Sequence, residues 1–214
     1  MINIVTAANE DFKELYYYLK ESVYNQGYPL ITYDLGNLGE GHPFESPRIS
    51  HEDNAKIPCK PSIVRDALDK IDYNEYLVWM DSDTLMVGTL DGIEQDYDIG
   101  VTLRPDKHMI PVFEKIPINA GVIFFRKTPK LMEFMQVWIK ACEKAKSDQA
   151  ELNKLIKVES KDMGGIISQQ GIKVKVFSCE NYNNYFFFEN QSNAKILHFK
   201  SDVRFLHPSL GDNN

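Results

Sequence analysis

Tyr76-Leu77-Val78-Trp79-Met80 is an unbroken apolar run, and Asp81-Ser82-Asp83 follows it directly. A strand of this kind has no polar side to turn to water. It must be covered on both faces, as in a parallel sheet packed between helices. The rest of the chain is consistent with that demand. Ile2 to Thr6 reads as a short buried strand, followed by a helical stripe of Phe12, Leu15, Tyr16, Leu19 and Val23 that Asn9 can cap. Pro29 to Leu35 reads as a second strand ended by Gly36, and Gly36 to Lys60, rich in Gly, Pro and His, as a long loop. Pro61 opens a helix through Ile63, Val64, Ala67, Leu68 and Ile71. Strands are expected near Asp98 to Leu103, Asn119 to Arg126, Ile172 to Phe177 and Lys195 to Phe199, all completing one sheet. Between them, Thr128-Pro129 starts a helix, and Ser147 precedes a shorter one from Asp148 to Lys157. Strands alternating with helices predict an α/β fold, a mixed but mostly parallel sheet flanked by helices. With 214 residues, no internal repeat and no linker, residues 1–214 are expected to form a single domain.

Charge and composition exclude several classes. Lys and Arg number 24 against 31 Asp and Glu, and a net charge of −7 argues against a general nucleic-acid binder, which needs a basic face. A local basic pocket for a small phosphorylated ligand stays open. Cys59, Cys142 and Cys179 are odd in number and widely spaced, so buried inert thiols are expected rather than a disulfide framework or zinc site. No apolar run approaches the roughly 20 residues of a membrane span. The chain opens on Ile2-Asn3-Ile4-Val5 with no basic region ahead of an apolar stretch, so a cytoplasmic protein is expected.

Asp81 and Asp83 stand two apart, which in an extended segment sends both side chains to the same side. Two hard oxygen ligands at a strand end suit Mg²⁺ or Mn²⁺, which favour carboxylates, water and substrate phosphates. Open α/β sheets also bind ligands beyond the carboxyl ends of their strands. The bland alternative, a polar turn, fits a bare D-x-D better than one set behind a fully apolar strand. His198, closing Lys195-Ile196-Leu197-His198-Phe199, can complete a metal shell, and Lys200 and Arg204 can meet a diphosphate. His42, His51, His108 and His207 lie in loops or tails and carry no signal.

Taken in order, Ile4-Val5-Thr6-Ala7-Ala8-Asn9, Asp81-Ser82-Asp83, Asn119-Ala120-Gly121-Val122, Asp148-Gln149 and His198 resemble the GT-A-fold glycosyltransferases. The group most resembled is the retaining family 8, glycogenin-like and bacterial galactosyltransferase set. The resemblance runs over roughly residues 2 to 204. It implies a metal-dependent transfer of sugar from a nucleoside-diphosphate sugar, with UDP as the expected nucleotide, to a glycan, lipid or protein acceptor. Carried over by motif, Asp81, Asp83 and His198 would hold Mn²⁺ or Mg²⁺. Ala7, Ala8 and Asn9 would meet the nucleoside, Arg65 the donor, and Ser82 would lie in the donor site with its flanking aspartates. Asn119, Asp148 and Gln149 would line the donor sugar as catalytic residues.

The late block departs from the family's His-x-x-Gly-x-x-Lys-Pro-Trp. Ser201 replaces the glycine, Arg204 falls at the lysine position, and Pro-Trp is missing, leaving the phosphate cation open between Lys200 and Arg204. The short run after this block is expected to carry no separate acceptor or membrane-anchoring extension. A dehalogenase-type phosphatase would need threonine four residues after Asp81, where Leu85 stands. A sugar nucleotidyltransferase would need a Gly-rich basic loop after the first strand, where Thr6-Ala7-Ala8-Asn9 stands. The alternative from another class is a non-catalytic nucleotide-sugar or glycan-binding module on the same fold. Tyr182, Tyr185, Phe186, Phe187 and Phe188 offer aromatic faces for an acceptor sugar, with core packing as the plainer reading of the phenylalanines. Retention is expected. The candidates for an inverting base are Glu114 and Glu151, neither within a recognisable motif.

Overall fold

The computed structural model describes residues 1–44, 48–50, 56–105, 116–145, 147–185 and 193–199. In chain order the strands and helices are β1 (Ile2–Ala8), α1 (Lys13–Asn25), β2 (Leu30–Asp34), β3 (His42–Pro43), β4 (Arg48–Ser50) and β5 (Lys56–Pro58). Next come α2 (Lys60–Asp69), β6 (Tyr76–Met80), β7 (Thr84–Met86), β8 (Ile99–Leu103), β9 (Ile118–Arg126) and α3 (Pro129–Cys142). The last are α4 (Asp148–Leu155), β10 (Ile166–Gln169), β11 (Ile172–Ser178), α5 (Cys179–Tyr182) and β12 (Ile196–His198).

Eight strands make the main sheet in the order β10-β11-β8-β9-β6-β1-β2-β3. β6, β1, β2 and β3 run parallel, β8 and β11 run parallel, and β9 lies antiparallel between β6 and β8. The uninterrupted apolar β6 sits where two-sided burial demands, at the centre, with all five residues buried. Leu77 and Trp79 join the core on one face with Ile63, Val64, Leu68, Phe134 and Trp138 of α2 and α3. Tyr76, Val78 and Met80 join the other with Leu19 and Val23 of α1. Truncating one of these wholly buried leucines to alanine costs about 2–5 kcal/mol.

Three sequence expectations are corrected. The 195–199 strand does not enter the main sheet. As β12 it pairs antiparallel with β7 in a separate ribbon, His198 opposite Thr84. The Gly36–Lys60 stretch is not one long loop, because β3 extends the sheet beside β2 and β4 pairs with β5. Its polar, Gly- and Pro-containing composition hid strands two or three residues long. Asn9 occupies the N-cap of a 3₁₀ turn, Glu10–Phe12, that leads into α1, but its side chain caps nothing and donates to Asp11 at 3.3 Å. Cys59, Cys142 and Cys179 are all buried thiols, as expected. Among the described residues no helix is long and apolar enough to cross a membrane.

Candidate active site

Asp81 and Asp83 converge, by a different device from strand alternation. β6 ends at Met80, and a turn closed by Thr84 N–H donating to Asp81 O at 3.1 Å carries the chain into β7. The turn brings the aspartates together, and the β7–β12 ribbon brings in His198. Phe199 N–H donates to Asp83 O at 2.8 Å, fastening that ribbon to the turn. His198 Nε2 lies 3.1 Å from Asp83 Oδ1 and 3.8 Å from Asp81 Oδ2. One ligand atom from each of Asp81, Asp83 and His198 falls within a 4.8 Å group. Two carboxylates and an imidazole at that spacing fit a hard divalent cation such as Mn²⁺ or Mg²⁺. Asp81 is 30% exposed while Asp83 and His198 are buried, so the group opens to solvent on the Asp81 side.

The two oxygens of Asp81 have different surroundings. Oδ1 accepts from Lys60 Nζ at 2.9 Å and from Trp79 Nε1 at 2.7 Å, which leaves Oδ2 on the His198 side. Lys60 comes from the first turn of α2, where Pro61 fixes the helix start. Its ammonium also donates to Ala120 O at 2.6 Å and lies 5.1 Å from the centre of the Trp79 ring. Burial works to strip the Lys60 proton. Asp81, Asp148 and Asp83 outweigh it, and the ammonium is held above the ordinary lysine range.

β9 approaches this group through an irregularity. Val101 pairs with Ile123 but Thr102 pairs with Asn119, so Ala120, Gly121 and Val122 bulge away from β8. The bulge frees Ala120 O for Lys60 and sets Gly121 O to accept from Asp81 N–H at 2.9 Å. It also lays Gly121 flat against the imidazole: a Cβ there would collide with His198 Cε1 and Nδ1. Asn119 is wholly buried, its Oδ1 accepting from Gly121 N–H at 3.2 Å.

Gln149 and Asp148 reach the site from α4, whose N-cap Ser147 accepts from Ala150 N–H at 3.3 Å. Gln149 Oε1 accepts from Ala120 N–H at 2.9 Å, pinning α4 to the bulge. Asp148 is buried, its Oδ1 accepts from Gln149 N–H at 2.6 Å, and Trp138 Nε1 holds its backbone oxygen at 3.1 Å. Burial, aided by Asp81 and opposed by Lys60, raises the Asp148 carboxyl above the ordinary range.

Ala7 and Ala8 are buried at the carboxyl end of β1, beside β2. Asn9 follows them, its Oδ1 buried without a hydrogen-bond partner. Arg65 is ion-paired with Asp69 one turn along α2, and the α2 cation that meets Asp81 is Lys60. Tyr182, half-buried, packs edge-on against Phe124 and Phe177 at 5.5 and 5.0 Å, at the margin of the core. Tyr185 lies with Arg104 over its ring at 5.9 Å. Lys200, Arg204, Glu114 and Phe186 to Phe188 lie outside the described residues.

Lys60, Trp79, Thr102 and Asn183 are the site residues that sequence reasoning missed. For Lys60 a faint signal existed, a cation adjoining a helix-opening proline upstream of the D-x-D strand. Asn183, within Asn181-Tyr182-Asn183-Asn184, carried none.

A sequence model of the nucleotide-diphospho-sugar transferase family matches residues 64–210, more than half of the chain. The chain belongs to this family. No curated protein matches it by sequence. Among solved structures it is similar to a glycosyltransferase involved in the glycosylation of the major capsid of PBCV-1, at 17% identity over 95% of this chain and 94% of that one, with a TM-score of 0.62. It is also similar to the glycosyltransferase GlyE of Streptococcus pneumoniae TIGR4, at 15% identity over 94% of this chain and 56% of that one, TM-score 0.60. At such identities the likenesses speak for the fold. The GT-A architecture expected from the motifs is borne out, and this nucleotide-diphospho-sugar transferase is a glycosyltransferase.

Proposed function

We propose that this glycosyltransferase moves a sugar from a UDP-sugar to an acceptor hydroxyl with retention, using a divalent cation held by Asp81, Asp83 and His198. The observation that carries the reading is the convergence of those three side chains at the carboxyl end of β6. When bound, Mn²⁺ or Mg²⁺ would stabilise the negative charge that builds on the departing diphosphate.

The chain's own residues supply the rest. Lys60 and Trp79 fix Asp81 through Oδ1, so that Oδ2 keeps one orientation. Asp148 and Gln149, docked on the β9 bulge beside Lys60, orient the donor sugar, with Asn119 behind them. Ala7, Ala8 and Asn9 take the nucleoside. The unpartnered Asn9 Oδ1 supports that role, because a buried acceptor without a donor is costly and a ligand N–H or O–H would satisfy it. Lys200 or Arg204 meets the diphosphate. Of the late aromatics, Tyr182 and Tyr185 are the acceptor candidates, both half-buried, with Tyr182 packing against Phe124 and Phe177.

A thermal-shift series with UDP, GDP and TDP, each with Mn²⁺, tests the donor, and UDP is expected to give the largest shift. Equal shifts for all three would remove the case for a UDP-sugar. Transfer assays on Asp81→Asn and Asp83→Asn should show activity reduced by about 100-fold or more. Donor binding with no turnover on any acceptor would instead favour a binding module.

A further inference from the structure

Thr102, Asn183 and His198 form a buried chain of hydrogen bonds behind the two aspartates. Asn183 Nδ2 donates to Thr102 Oγ1 at 2.8 Å and to Asn119 O at 3.1 Å. Thr102 Oγ1 itself donates to Asn119 O at 2.7 Å, so its hydroxyl proton is committed and it faces Asn183 as an acceptor. The Asn119 carbonyl can only accept, and its two lone pairs serve both donors. Two acceptors therefore bracket one end of the Asn183 amide, and that end must be the NH₂. The oxygen is forced to the other end, 2.7 Å from His198 Nδ1. Facing an amide oxygen, Nδ1 must carry a hydrogen. Nε2 is then the ring nitrogen left for a cation, and it is the one directed at Asp83 and Asp81. Thr102, Asn119 and Asn183 are all wholly buried, so water does not offer the amide a competing partner.

We propose that Asn183 is a positioning residue for the metal site: held in one orientation by Thr102 and Asn119 O, it keeps the His198 proton on Nδ1 and presents Nε2 to the cation. The inference rests on the reading of Asp81, Asp83 and His198 as a cation site. Partners of this type on ligating histidines fix the tautomer and ring angle, and losing one typically costs about 10–100-fold in metal affinity. Gly121 belongs to the same arrangement. A Cβ there would collide with the imidazole and come within 3.3 Å of Asn183 Oδ1, so the bulge leaves the ring one seat.

The test uses Mn²⁺ alone, without donor or acceptor, titrated into the full chain and followed by EPR of the free ion. Wild type that binds no Mn²⁺ would overturn the cation site and this inference with it. With wild-type binding established, Asn183→Leu should weaken Mn²⁺ by about 10-fold or more, while Asn183→Asp, which keeps an oxygen on Nδ1, stays within about threefold of wild type even if less stable. Asn183→Leu binding like wild type would overturn the proposal. So would equal weakening by both variants, which marks a packing role. A second measurement needs no variant at Asn183. In ¹⁵N ring-labelled protein saturated with Mg²⁺, the His198 signal, assigned by its loss in His198→Gln, should show a protonated Nδ1. A bare Nδ1 would overturn the proposal whether or not Asn183→Leu folds.

Discussion

Asp148 is a carboxyl shut away from water at the first turn of a helix, and its raised titration has a thermodynamic consequence. A carboxyl raised in the folded state binds its proton more tightly there than in the unfolded chain. Its contribution to stability is therefore greatest below the ordinary carboxyl pKa of about 4 and is lost as pH rises through the higher folded value. Asp148→Asn, which cannot ionise, should escape that loss. Denaturant unfolding from pH 4 upward should show the variant gaining on wild type as pH rises, while transfer activity falls. A stability difference that does not change with pH would mean that this carboxyl does not titrate in the range. Lys60→Met is expected to act in the opposite sense at neutral pH, because it leaves Asp148 and Asp81 facing each other without the ammonium. A loss of about 1–3 kcal/mol is expected, reduced on the Asp81 side by solvent, and unfolding at pH 7 measures it. At this scale the sequence exposed the three side chains that converge and hid their supports. Asp81, Asp83 and His198 were legible because a carboxylate pair behind an apolar strand, and an imidazole ending another, carry their chemistry in local context. Lys60 meets Asp81 from 21 residues away, and Asn183 meets Thr102 from 81 away. Such pairings exist once the sheet has formed, and no local pattern announces them.

The β9 bulge is the element on which the site is assembled, since Lys60, Asp81, Gln149 and His198 all meet backbone within Ala120–Gly121. Gly121→Ala should displace the imidazole. Overpacking of this kind costs about 1–3 kcal/mol, and Mn²⁺ affinity should fall with stability. A Gly121→Ala protein with wild-type melting and wild-type Mn²⁺ binding would show that the ring has room to move. The dock between α4 and β9 makes a separate prediction. Asn153 is buried, accepts from Ile118 N–H at 2.9 Å, and donates to Ile118 O at 3.1 Å and Gln149 O at 2.8 Å. Asn153→Leu strands the Ile118 N–H, while Ile118 O keeps its bond from Arg104 Nη1 at 3.1 Å. It should cost about 1–3 kcal/mol by denaturant unfolding, with a further loss of activity because Gln149 sits on the same turn. The long elements were readable because five to fourteen residues give a hydrophobic period room to show. β3, β4, β5 and β12 have two or three residues each, too few for any period, and β12 carries no local sign that its partner is the equally short β7 rather than a strand of the main sheet.

Across the whole molecule, the carboxyl ends of β1 and β6, the first turn of α4 and the β7–β12 ribbon bring their chemistry to one edge of the sheet, as open α/β sheets do. The aspartates, His198 and Lys60 gather there, and the stereochemistry of transfer depends on which carboxylates can face an incoming hydroxyl. An inverting reaction needs one placed to take the acceptor proton on the side opposite the leaving diphosphate. Asp81 is tied to Lys60 and Trp79, and Asp83 is buried against His198. Asp148 is buried at the helix start, and Glu151 pairs with Lys154 on α4 at 2.5 Å. Among the described residues, each of these carboxylates is thus already engaged by a neighbouring group. That arrangement suits the retaining route of the family 8 group, in which the departing diphosphate itself assists the incoming hydroxyl. From an α-linked UDP-sugar, proton NMR of the fresh product should therefore show an α linkage, through the small coupling of an equatorial anomeric proton in a gluco- or galacto-configured sugar. A β-linked product would overturn retention and direct attention to Glu151 and Glu114, whose glutamine variants would then be expected to lose turnover while keeping donor binding.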